Sequence, residues 1–136
     1  MLNRQIKELA SVYHAEASRS GISDNEFWVW YELLYSKGTL SQQDICEKWS
    51  LPKQTVNTIV LNFKKKGFVF LEPAQNFRNR KNICLSKSGR EYGENIVKRV
   101  YEAEHNILRR MTEQELKTCI KLLGKYIALL KEEIYE

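Results

Sequence analysis

Pro52 constrains the fold more than any other single residue. Its ring fixes φ and removes a backbone donor, so a helix can begin there but cannot run through it. Helical spacing of apolar residues occurs on both sides. Upstream, Ser41 with Asp44 three residues on opens a short helix that turns Ile45 and Trp49 inward. Downstream, Val56, Ile59, Val60 and Phe63 form an apolar stripe, and Gln54, Thr55, Thr58, Leu61, Asn62 and Lys65 fall on the opposite side. Gly67 ends this second helix after about Lys66. Two short helices joined by a tight turn are the result, the second polar along one face.

Phe68 to Glu72 and Asn82 to Leu85 read as the strands of a hairpin. Nine residues, Pro73 to Lys81, join them, where such loops usually take about two to five, and a long ordered loop is more often functional. It holds Arg78, Arg80 and Lys81 and no acid. Short helix, turn, polar-faced helix and basic-looped hairpin, in that order, make a winged helix-turn-helix.

Helical segments flank this lobe. Ile6, Leu9, Ala10, Tyr13 and Ala17 predict a helix over the first twenty residues, and Ser23 with Glu26 forms a capping box ahead of Phe27, Trp30, Tyr31 and Leu34, in a helix that Gly38 ends. A long helix is expected from Lys87 to Arg110, and Thr112 with Glu115 opens a last one. There Leu116, Ile120, Leu123, Ile127, Leu130 and Ile134 alternate in steps of four and three, a seam that wants a partner: a second copy is expected, with this chain's own first and fifth helices as the alternative. The expected architecture is mainly α with a small β-hairpin: a DNA-binding lobe over 21–89 and a helical dimerisation region over 1–20 and 90–136, in which Ile6 and Leu9 join that seam.

Charge points to the partner. From Lys48 to Arg90 there are ten basic residues against one acid, Glu72, and the rest of the chain holds twelve basic and sixteen acidic residues. Segregation of this kind is the footprint of a surface that meets a polyanion, most often nucleic acid, with a solvated basic face as the alternative. The residue types fit the first reading. Gln54 and Asn57 offer paired donor and acceptor atoms able to read adenine bidentately, and Thr55 and Thr58 can touch a thymine methyl or a phosphate. Asn62 shares their face. Lys53, Lys64, Lys65 and Lys66 are point charges that suit phosphates, and so supply affinity rather than sequence choice. Arg78, Arg80 and Lys81 belong to the wing, with Arg78 placed to enter a narrow minor groove.

Lys53-Gln54-Thr55-Val56-Asn57, the ending Lys64-Lys65-Lys66-Gly67-Phe68-Val69, and Leu85-Ser86-Lys87-Ser88-Gly89 after the wing resemble the MarR family of bacterial transcriptional regulators. The resemblance spans nearly the whole chain. It implies a homodimer whose first, fifth and sixth helices associate, which binds pseudo-palindromic double-stranded operators and is often released by small phenolic or other ligands; the action expected here is that of a repressor. One departure concerns the wing: the family's Asp-Arg-Arg is here Phe77, Arg78 and Asn79, so the acid that orients the family's wing is missing.

A release site would need an apolar cleft. Five of the chain's fifteen aromatics fall between Phe27 and Tyr35, and Tyr13, His14, Trp28, Tyr31 and Tyr35 are the candidate lining for a small aromatic effector, with core packing accounting for most of the cluster. Other chemistries find little support. His14 and His105 lack metal-ligand spacing, and no nucleophile elbow, P-loop or dinucleotide fingerprint occurs, so neither metal, cofactor nor catalysis is expected. Cys46, Cys84 and Cys119 form no C-x-x-C pair and read as buried thiols in a reducing, cytoplasmic setting. Apolar runs reach five residues, far below the roughly 20 of a membrane span. The competing function is a winged helix that binds protein rather than DNA.

Overall fold

Caps and turns set most of the element boundaries in the computed structural model, which describes residues 1–75 and 78–136. The order is α1 (Leu2–Arg19), α2 (Asp24–Tyr35), α3 (Gln42–Trp49), α4 (Lys53–Lys65), β1 (Val69–Pro73), β2 (Lys81–Leu85), α5 (Lys87–Ile107) and α6 (Glu113–Tyr135). The mainly helical winged helix-turn-helix expected from the sequence is the fold observed. Ser41 and Asp44 cap α3 reciprocally, as Thr112 and Glu115 cap α6, and Ser23 accepts from the Glu26 N–H at the start of α2. Pro52 is the N-cap of α4, one position before its first helical residue.

The end of α4 explains a shift in the hairpin. Gly67, at φ +75°, lets the Phe68 N–H bond back to the Phe63 carbonyl at 2.9 Å and its own N–H to Lys64 at 3.1 Å. This is the Schellman geometry, and the Phe63 and Phe68 rings meet edge to face across it. Phe68 is therefore committed to the helix end, and β1 starts one residue later than expected. At the other end Pro73 pairs with Lys81 in the antiparallel ladder; an edge strand tolerates the missing donor. The loop shortens from nine residues to the seven between them. Similarly, α5 stops at Ile107 instead of Arg110, and residues 108–110 form a turn ahead of the Thr112 cap.

The chain divides into two compact units, Met1–Val100 and Tyr101–Glu136, with α5 contributing to both. Trp30 is the centre of the first unit. It is fully buried, stacks on Phe63 at 4.2 Å between centroids, and meets Phe68 and Tyr92 at 5.6 and 5.5 Å. Helices α2, α4 and α5 and the turn that ends α4 thus converge on one indole. Two glycines of α5 permit this approach: a Cβ on Gly89 would lie 2.0 Å from the Phe68 carbonyl oxygen, and one on Gly93 2.7 Å from the Trp30 ring. Both distances are below van der Waals contact.

A second layer ties α2 to α3. Trp28 stacks on Trp49 at 4.6 Å and touches Tyr13 and Tyr31, while the buried Glu32 carboxylate accepts from Trp49 Nε1 and Lys48 Nζ, each at 3.0 Å. A buried carboxylate is tolerable only with such partners.

In the second unit, none of the α6 residues is buried. Ile120, Ile127, Leu130 and Ile134 are exposed, and Leu116 and Leu123 are partly covered. Ile6 and Leu9 on α1 are exposed as well. The expectation of three buried thiols is corrected here. Cys119 is exposed on α6, none of whose residues is buried, and Cys46 and Cys84 are half-buried.

Candidate nucleic-acid interface

The interface begins with the way α4 is held. Val56, Val60 and Phe63 are buried beneath it, which fixes the helix by its apolar stripe and turns the opposite face outward. Gln54, Thr58, Leu61, Asn62 and Lys65 are exposed on that face, Thr55 is partly covered at its edge, and Lys53, Asn57 and Lys64 are exposed on the flank. The sequence-predicted α4 residues therefore share one accessible surface.

The wing stands beside the start of α4. A hollow of about 650 Å³ opens between the two and the start of α3, lined by Gln42, Gln43, Lys53, Arg78, Asn79 and Lys81 together with Ser41, Leu71 and Arg80. Its described lining includes four basic residues and no acidic one. On the other flank of α4 a shallower recess of about 460 Å³ is lined by Gln54, Thr55, Thr58 and Ile59, with Ser23 and Asn25 from the start of α2. Composition did not single out Gln42, Gln43, Ser23 or Asn25. They are uncharged and carry no periodic signal; only the three-dimensional neighbourhood brings them to α4.

Among the bonds that hold the wing to the helix-turn-helix, two join its described residues to α3 and the segment before it. The Ile83 N–H donates to the Leu40 carbonyl at 2.8 Å, and the Arg80 guanidinium donates to Asp44 Oδ2 at 2.5 Å. Asp44 Oδ2 also accepts from the Ser41 N–H at 2.9 Å. Burial pushes the Asp44 carboxyl up, but the Ser41 hydrogen bonds and the Arg80 charge together outweigh it and leave the group below its ordinary range. Arg80 thus serves as a post of the wing, while Arg78 and Lys81 are exposed. Phe77, the first of the positions that depart from the family's Asp-Arg-Arg, lies outside the described residues; Asn79 lines the hollow. From sequence Asp44 was legible only as a helix cap, because the partner that uses its second role is thirty-six positions away.

The candidate effector residues separate. Tyr13, His14 and Trp28, with Ala10, Asp24 and Phe27, line a hollow of about 110 Å³, and His14 Nδ1 is 2.7 Å from Asp24 Oδ1. Tyr31 and Tyr35 are not among its lining residues; they pack on Trp28, Trp49 and each other. An engineered apolar cavity that takes benzene measures about 150 Å³, so this one is smaller than a single-ring ligand needs. One cysteine has its reactivity held down. Burial, and then the neighbouring Glu72, push the Cys84 thiol up, which keeps its reactive thiolate scarce. Among the described residues no group of three potential ligands is arranged to hold a metal ion, and no helix is long and apolar enough to cross a membrane.

Residues 20–76 match the MarR family. Over 93 residues the chain is 25% identical to an uncharacterised HTH-type transcriptional regulator, YwhA of Bacillus subtilis, covering 68% of this chain and 67% of that protein. Among solved structures, the fold is similar to that of NMB1585, a MarR family regulator from Neisseria meningitidis, with a TM-score of 0.83 at 22% identity over 98% of this chain and 93% of the other. MepR of Staphylococcus aureus in its DNA-binding conformation gives a TM-score of 0.75 at 21% identity, over 95% and 96%.

Proposed function

We propose that this chain, whose residues 20–76 carry the MarR-family domain, is a transcriptional regulator that binds double-stranded DNA in a sequence-specific way as a homodimer. The observation that carries the reading is the acid-free hollow between wing and α4, continuous in sign with the lysines on the outer face of that helix. A surface with one sign of charge and low-lying side-chain amides suits a groove walled by phosphates. Lys53, Lys64, Lys65 and Lys81 would meet phosphates, Gln54, Asn57 and Thr58 base edges in the major groove, and Arg78 the adjacent minor groove. Thr55 and Asn62, at the margins of the face, suit backbone contacts.

Two such lobes fit a pseudo-palindrome when a two-fold axis sets them about 34 to 36 Å apart, one helical turn. Residues 1–20 and 90–136 are the proposed dimerisation region, since Ile6, Leu9, Ile120, Ile127, Leu130 and Ile134 are exposed in the single chain. Occupying that stretch of duplex excludes other proteins from it, which makes repression the natural action. An aromatic effector is a further part of the proposal. Given the 110 Å³ hollow, it would enter by displacing Trp28 from its stack on Trp49, and so would change tryptophan fluorescence together with operator affinity.

Salt dependence tests the central reading. Duplex affinity should fall with log salt at a slope of about −0.9 per phosphate neutralised, and Lys65→Ala or Arg78→Ala should each flatten it by about one. Gln54→Ala should leave the slope alone and relax base preference at one position per half-site. A module that binds protein instead would retain no duplex even in dilute buffer.

A further inference from the structure

We propose that Leu61 is a specificity-determining residue that reads the 5-methyl group of a thymine. The inference rests on the DNA-binding reading above and adds a base to it. Among the described residues of 21–89, Leu61 and Phe70 are the exposed large hydrophobics, and Leu61 is 45% exposed in the middle of the polar face of α4. At about 100° per residue it stands some 20° from Gln54 around the helix axis, between the directions of Asn57 and Thr58, and about 10.5 Å farther along. An axial rise of that size is close to three base-pair steps of about 3.4 Å. Leu61 thus continues the row that begins with Gln54.

The major groove presents one alkyl group, the methyl of thymine; apart from the small C5–H of cytosine, the other base edges offer hydrogen-bond donors and acceptors. A leucine cannot satisfy any of those, so opposite adenine, guanine or cytosine it would strip water from a polar edge without replacing the bond. Opposite thymine it covers a methyl and is covered in turn. The same side chain therefore favours one base and penalises three. Flanked by Asn57 and Thr58, it gives the reading row an apolar centre between polar neighbours.

Uracil isolates this interaction, because it keeps the hydrogen-bonding edge of thymine and lacks only the methyl. A duplex selected from a random-sequence pool would be remade with deoxyuridine at each thymine in turn, and binding measured for the wild type, Leu61→Ala and Leu61→Met. One position per half-site should cost the wild type about fourfold when substituted, the burial value of one methyl group, and about fifteenfold when both half-sites are changed. Leu61→Ala should bind the thymine and uracil duplexes alike, and Leu61→Met should keep the discrimination. A wild type indifferent to every uracil, or a Leu61→Ala variant that still discriminates, overturns the proposal while a steep salt slope leaves the DNA-binding reading standing. Failure to retain any duplex overturns both.

Discussion

Helices α4 and α6 are built on the same principle and end in opposite states. Each carries an apolar stripe at helical spacing and a polar remainder. In α4 the stripe is closed: Val56, Val60 and Phe63 are buried, and what faces outward is amide, hydroxyl and ammonium. In α6 it is open, with none of the residues buried and Ile120, Ile127, Leu130 and Ile134 exposed. The difference teaches what each helix lacks. Water satisfies the outer face of α4 until a polyanion replaces it, whereas water is the wrong solvent for the α6 seam and a protein surface is the right one. The outer face of α4 is stable in water without a partner; the α6 stripe is the surface that gains most from being covered.

Charging the open stripe gives the largest expected effect. Ile127→Glu places a carboxylate among the exposed isoleucines and leucines of α6, where association would have to bury it without a partner. The sedimentation of the variant should be that of a single subunit. Affinity for a two-half-site duplex should fall by about 10² to 10⁴, the usual worth of linked binding, and affinity for an isolated half-site should not change. A variant that remains dimeric would place the interface elsewhere and end the contrast between the two helices.

The wing supplies the next test, at the edge of the closed region. Asp44→Asn keeps the cap on the Ser41 N–H and removes the charge that holds Arg80. A loss of about 1 kcal/mol is expected at neutral pH, the scale of a part-exposed ion pair with a charge-assisted hydrogen bond. The pH dependence has a definite sign. Because the folded-state pKa of Asp44 lies below its ordinary value, the stabilisation is present above the unfolded-state pKa, near 3.9 as a rough reference, and is lost as pH falls through the folded-state one. Wild type and variant should therefore converge in acid, as urea melts at stepped pH would show. DNA binding sharpens the point. Arg80 is already neutralised by Asp44, so Arg80→Ala should leave the salt slope nearly unchanged, unlike Arg78→Ala.

The two regions also differ in how much of them the sequence disclosed. Pro52, the Ser41 and Thr112 caps and the 3.6-residue stripes act locally, so the helices and the hairpin were legible to within a few residues. The polar face of α4 was legible for the same reason, since a helix that buries Val56 and Phe63 has no choice about where Gln54 and Asn57 point. Relations across long stretches of chain were hidden. The Arg80 to Asp44 bond, the approach of Gly89 to Phe68 and the division of Trp28 and Trp30 between two aromatic layers depend on tertiary distances that no periodicity encodes. Cys119 misled for a related reason: a cysteine among leucines reads as core, and only the open state of α6 reveals it as surface.

The smallest expected effect separates the closed lobe from the open helix most cleanly. Ser50 ends α3 at φ 51° and ψ 45°, in the turn that delivers Pro52 and α4. A side chain in the left-handed region costs about 1 to 2 kcal/mol, and glycine relieves it while adding freedom to the unfolded chain. Ser50→Gly should therefore stabilise the lobe by a net amount of about 0.5 to 1 kcal/mol. The gain arises within the turn and draws nothing from the α6 seam. It should accordingly be the same in the wild type and in the Ile127→Glu background, since the effects of substitutions that share no partners add to within about 0.5 kcal/mol. Thermal melts of the four combinations measure this. A gain that disappears in the single-subunit background would mean that the lobe's turn is strained only in the assembled molecule, and the closed and open regions would then have to be treated as one cooperative unit.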